Sequence, residues 1–181
     1  VTGVSEVKTA RALLEECKKE LACKNIPFAE NIKLGVMIET PAASLCADLL
    51  AKHADFFSIG TNDLTQYTMT VDRGNTEVSY LYSVFDPAVL RSVEHIIHAA
   101  KAANIPVGMC GEAAADERLI PLLVAYGLDE FSVNPTSISA VKRTLSLWSM
   151  NDAKALAERI SALETESEIR EALEAARKAG N

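Results

Sequence analysis

Four short apolar runs, Leu34–Ile38, Phe56–Gly60, Pro106–Met109 and Phe131–Val133, each stop at a polar residue and each precede a helical signal. This alternation limits the fold more than any other feature of the chain. Strand followed by helix, repeated, builds a parallel sheet with helical crossovers. Continuous apolar runs of this length read as strands buried on both faces. Pro41 opens a helix rich in Ala and Leu. Asp86–Pro87 pairs an N-cap with proline at the first helical position and opens a helix carrying Val89, Val93, Ile96, Ile97 and Ala100. A further helix is predicted from about Asp116 to Tyr126, with Gly127 as its stop.

The flanks are read in the same way. Val1–Val4 resembles the end of another strand. Ser5 is then the N-cap of a helix of about 17 residues, striped by Val7, Ala10, Leu14, Cys17 and Leu21. Strand ends fall about 23 residues apart, except that the second and third are separated by about twice that. The surplus lies in Leu64 to Phe85, and long connections are usually functional. From about Asn151 the alternation stops. Two Ala- and Glu-rich helices follow, one led by Asn151–Asp152, the other by a Thr165–Glu168 capping box and closed by Gly180. The expected organisation is α/β over residues 1–150 with a helical pair over 151–181.

Composition excludes several classes. The 181 residues are 49% apolar and 24% charged, as in ordinary globular proteins. With 18 Lys and Arg against 25 Asp and Glu, the net charge is −7. Bulk charge therefore does not hold nucleic acid; an anionic ligand needs a local cation, a metal or helix N-termini. No apolar run approaches the roughly 20 residues that cross a bilayer, and no signal-peptide pattern opens the chain, so no membrane insertion is expected. Cys17, Cys23, Cys46 and Cys110 lack zinc-site spacing, which points to a reducing cytoplasm. The first three are read as inert buried thiols, and His53, His95 and His98 as surface or partly buried side chains.

The polar residues cluster. Glu39, Asn62, Asp63, Cys110, Glu112 and Asn134 each lie just past the carboxyl end of a strand, the edge at which parallel α/β folds bind ligands. Glu39 and Asp63 could share one hard cation such as Mg²⁺, or could each cap a helix. Asn62 offers an amide donor, or fills a turn that favours asparagine. Arg73 is the only arginine in the long connection; it suits a phosphate or carboxylate, or simply faces solvent. Cys110, between glycines, is a proton donor, a nucleophile or another inert thiol.

Gly35–Ala43, Asp55–Tyr67, Val71–Asn75 and Gly108–Glu112 occur in that order. Together they resemble the carboxyl-terminal domain of enzyme I, the phosphoenolpyruvate–protein phosphotransferase family of the bacterial sugar phosphotransferase system. The resemblance covers nearly the whole chain. Pyruvate phosphate dikinases and phosphoenolpyruvate synthases share the Gly60–Asp63 and Cys110–Glu112 blocks; the stretch Tyr67–Asn75 and Leu81–Leu90 are closer to enzyme I. The resemblance implies the second half of a (β/α)8 barrel, about four strand–helix units, since a whole barrel needs about 250 residues.

It also implies a chemistry. Glu39 and Asp63 would hold Mg²⁺, Asn62, Asp63 and Arg73 would bind phosphoenolpyruvate, and Cys110 would protonate the enolpyruvate carbon to give pyruvate. The phosphoryl group would pass to a histidine on an amino-terminal domain outside this chain and then to the carrier protein HPr. Half of the phosphate-binding arginines would also lie outside it, so weak or no turnover is expected of the chain alone. Open strand edges lead to an expectation of self-association, such as a homodimer. The alternatives are a non-catalytic phosphoenolpyruvate-sensing or assembly module, and part of a dikinase- or synthase-type enzyme.

Overall fold

The apolar runs form four strands that pair in chain order, all parallel: β1 (Gly35–Ile38), β2 (Phe56–Gly60), β3 (Val107–Cys110) and β4 (Glu130–Phe131). The computed structural model describes residues 1–179. A helix, α1 (Val4–Cys23), precedes the sheet. Between β1 and β2 run α2 (Pro41–Leu45) and α3 (Ala47–Leu50); between β2 and β3, α4 (Thr61–Met69) and α5 (Pro87–Ala102); between β3 and β4, α6 (Ile120–Tyr126). After β4 come α7 (Ile138–Leu147), α8 (Met150–Ser161) and α9 (Glu166–Ala179).

The two faces of the sheet differ, which corrects the expectation of strands buried on both. Val36, Ile38, Phe57, Ile59, Val107 and Met109 are all but fully buried under the helices, among them α5 on β2 and β3. Each such side chain contributes on the order of 1.5–3 kcal/mol. On the other face the register aligns Met37, Ser58, Gly108 and Glu130 in one row, and no described helix covers it. Met37 and Phe56 are there 39% and 38% exposed, with the Phe56 ring lying over Gly35. Runs without polar breaks disguise a period of two, because Met, Gly and Phe serve an open face as readily as a buried one.

Asp86 caps α5 through Ala88 N–H, and Thr40 caps α2 through Ala43 N–H. Val1–Gly3 form no strand: Glu6 folds back to accept from the N–H groups of Thr2 and Gly3, so α1 begins at Val4 with Gly3, not Ser5, as its cap. Only Val7 of the predicted stripe is buried; Ala10 and Cys17 are exposed, since no other described element covers that length of α1. Cys17 and Cys23 are accordingly exposed, contrary to the reading of buried thiols.

The connection after β2 is shorter than its sequence implied, because Leu64–Met69 continue α4. α6 begins at Ile120, a 3₁₀ turn at Glu112–Ala115 having taken the residues beyond β3. Ser149 caps α8 through Asp152 N–H, ahead of the predicted Asn151–Asp152 start. Thr165 and Glu168 reciprocally cap α9. The Gly180 stop lies outside the described residues. α8 packs on α6 and α9, burying Leu156, Ile160, Ile169 and Leu173. No described helix is long and apolar enough to cross a membrane.

Candidate functional site

The carboxyl ends of the strands meet the uncovered face at a rim. Gly60 and Cys110 are register partners there. One step further along β1 lies Glu39, whose Cβ and Oε2 both stand 3.0 Å from the place a Gly60 side chain would begin. Glu39, Gly60 and Cys110 thus make a row across the rim, with Met37 one row below. A side chain at residue 60 would crowd Glu39 and Met37, whose side chains would have to shift to admit it. Cys110 Sγ lies 3.9 Å from Met37 Sδ, 3.9 Å from Ser58 Oγ and 3.6 Å from the Ile59 carbonyl. It faces the open side of the sheet and is partly accessible.

β2 passes into α4 with no intervening loop, so Asn62 and Asp63 fall in the first turn of a helix, where backbone N–H groups are unsatisfied. Thr61 locks that start by donating from Oγ1 to the Cys110 carbonyl at 3.0 Å. Gly111 follows at φ +93°, ψ −178°, backbone essentially restricted to glycine, and a Cβ there would stand 2.6 Å from Thr61 Oγ1 and 3.2 Å from Asn62 Oδ1. Thr61 and the two glycines carry no reactive group, and the sequence reading passed over them. What signalled them was position, directly beside Asn62 and Cys110.

Arg73 arrives from the other side. At the end of α4, Thr70 takes the left-handed conformation (φ +55°), unusual for a β-branched residue, and turns the chain back. Arg73 N–H then donates to Gln66 Oε1, and Gly74 N–H to Asp72 Oδ1. The Tyr82 hydroxyl donates to the Asn62 carbonyl at 3.1 Å, with the side chains of Arg73 and Thr65 beside it. Burial raises the Tyr82 phenol pKa, a shift the Arg73 charge opposes.

Glu39 and Asp63 are half-buried, and neither has an ion-pair or hydrogen-bond partner for its carboxylate among the described residues. They are hard oxygen donors with nothing to neutralise them, the donor chemistry of a Mg²⁺ site that draws further ligands from substrate and water. No three His, Cys, Asp and Glu side chains among the described residues form a metal-holding group by themselves. At Asn62 opens a cavity of about 430 Å³ also lined by Gly111, Glu112, Ala115, Ser132, Val133 and Asn134. Glu112 and Asn134 are therefore brought to Asn62. A larger hollow of about 590 Å³ lies among Leu147, Trp148, Leu156 and Arg159, and no rim residue lines it.

Residues 1–149 match the family described as "PEP-utilising enzyme, PEP-binding domain". The chain belongs to this family. Among similar proteins, the phosphoenolpyruvate-protein phosphotransferase of Buchnera aphidicola subsp. Acyrthosiphon pisum is 44% identical over 93% of the chain. That of Lactococcus lactis subsp. cremoris is 48% identical over 87%, and that of Haemophilus influenzae 44% over 96%. The chain spans 27–30% of the length of these relatives. The match spans the whole sheet and α7, including every rim residue, and stops before α8.

Proposed function

We propose that the rim is a Mg²⁺-dependent phosphoenolpyruvate site and that the four strands are half of a (β/α)8 barrel, with residues 151–181 as its helical extension. The observation that most supports this is the pair of half-buried, unpartnered carboxylates, Glu39 and Asp63, at the same edge as Asn62, Arg73 and Cys110. An acidic chain of net charge −7 has no bulk attraction for a triply charged anion. It needs local cations, and Arg73 together with a divalent ion held by the two carboxylates would supply them.

Each side chain then has a task. Glu39 and Asp63 hold Mg²⁺, which supplies charge neutralisation to the phosphoryl oxygens. Arg73 binds phosphate or carboxylate oxygens through its guanidinium, and the Asn62 amide donates to a phosphoryl oxygen. When the P–O bond breaks and the phosphoryl group leaves, enolpyruvate keeps the electron pair. Cys110 donates its thiol proton to the methylene carbon, giving pyruvate, and the thiolate regains a proton from solvent. In the whole protein the phosphoryl acceptor is a histidine on another domain, followed by the carrier protein HPr, in sugar uptake in the cytoplasm. Strands β1 and β4 each have one unpaired edge, which favours homodimers or larger assemblies.

Calorimetric titration of phosphoenolpyruvate into the chain, with Mg²⁺ and with a chelator, tests the assignment. Weak, Mg²⁺-dependent heat that Asp63→Asn removes is the expected result. Equal binding with chelator, or an unaffected Asp63→Asn variant, would overturn it. Cys110→Ser should retain that binding within about threefold, since a thiol that only delivers a proton contributes little to holding the substrate.

A further inference from the structure

The long connection ends in a clamp that the proposed chemistry does not use. Ser83 is buried; its hydroxyl donates to Glu166 Oε1 at 2.7 Å and accepts from Arg170 Nη2 at 3.2 Å and from Phe85 N–H at 3.3 Å. Phe85 is sandwiched between guanidinium groups, Arg118 at 4.4 Å and Arg170 at 4.6 Å from the ring centre. Burial works against ionised Glu166, yet its bonds from Ser83 and Arg170 hold its carboxyl below the usual range. Helix α9, far along the chain, thereby fixes the backbone next to Tyr82. From there the Tyr82 hydroxyl reaches the Asn62 carbonyl, with Arg73 alongside, and Tyr82, Asn62 and Arg170 border a small cavity of about 160 Å³.

We infer that Tyr82 is a positioning residue for the anion site, holding Asn62 and Arg73 in one binding geometry from a base clamped by α9. The inference rests on the phosphoenolpyruvate reading of the rim. Arg73 needs such a device, because its own loop is exposed from Asp72 to Glu77 and is tied to α4 only through Gln66. A guanidinium on a free loop loses rotamer entropy when it binds, and one kept beside a phenol has less to lose.

The test is nuclear magnetic resonance titration of the ¹⁵N-labelled chain with phosphoenolpyruvate and Mg²⁺, following the Asn62 amide and Arg73 Nε signals. This method reads millimolar affinities. Tyr82→Phe keeps the ring and removes one hydroxyl, so the strand amide signals should not move, while affinity should fall about tenfold, the worth of a hydrogen bond serving a charged group. In an Arg73→Lys background the same change should cost less than about twofold, because the geometry it supports is already lost. Full affinity in Tyr82→Phe, or an undiminished loss in the Arg73→Lys background, would overturn the inference while leaving the site in place. If Arg73→Ala titrates like the parent, the site assignment itself falls, and the inference with it.

Discussion

The two edges of the sheet carry the same residue types to opposite ends. At the amino-terminal edge, Asp55 directly precedes β2 and Asp129 directly precedes β4. Asp55 accepts from Leu34 N–H and from Arg11, and Asp129 accepts from Val107 N–H and from Lys101. Each acid ties the start of a neighbouring strand to a helix cation. At the carboxyl-terminal edge, among the described residues, Glu39 and Asp63 find no cation and Arg73 finds no acid. Paired charges stabilise the fold, whereas unpaired ones leave electrostatic potential free for a ligand. The difference separates an edge tied together by its charges from the edge proposed to bind a ligand, within four short strands.

The largest effect expected from breaking this contrast is on binding. Glu39→Gln and Asp63→Asn should each weaken Mg²⁺-dependent phosphoenolpyruvate binding by about 100-fold, comparable to removing one preorganised electrostatic partner. Their thermal midpoints should hold or rise slightly, because nothing in the fold leans on either carboxylate. Calorimetry paired with thermal melts reads both sides.

Asp55→Ala should do the reverse. Losing its bonds to Leu34 and Arg11 should cost about 1–3 kcal/mol in denaturant unfolding, with ligand affinity unchanged. A pair of glycines sharpens the contrast at the level of the backbone. Gly111 at the binding edge and Gly127 at the end of α6 both have φ near +95° (+93° and +98°). Alanine at either should destabilise by about 1 kcal/mol or more. Only Gly111→Ala, which crowds Thr61 and Asn62, should also weaken binding.

The smallest effect is on pH. The Leu34 N–H bond, helped by Arg11, holds the Asp55 carboxyl below the ordinary carboxylate range. At Asp129 burial pushes upward but is outweighed by the bonds from Lys101 and Val107. A depressed folded pKa means the unfolded state binds more protons, so this stability is complete above the unfolded value of about 4 and drains as pH falls below it. Unfolding midpoints followed down from pH 6 should stay level and then decline, and Asp55→Asn should make the decline shallower. A decline setting in near neutrality would point to other groups.

Much of this was legible in the chain. Proline and Asp placed the starts of α2 and α5, and the strand ends put Glu39, Asn62, Asp63 and Cys110 at one edge before any coordinates. Two kinds of information were not legible. Local spacing does not say whether a partner covers a face, so the stripe on α1 and the second face of the sheet were read as buried when both are open. Contacts across 80 residues or more, such as Ser83 with Glu166 and Arg170, leave no periodic trace, and they anchor the backbone beside Tyr82.

The most direct measurement is paramagnetic broadening of the chain's amide signals by Mn²⁺ used in place of Mg²⁺. Broadening should centre on Glu39 and the first turn of α4, extend to Cys110, and intensify when phosphoenolpyruvate is added. Broadening centred on Asp55 and Asp129, or on the helical tail, would contradict the assignment of the binding edge.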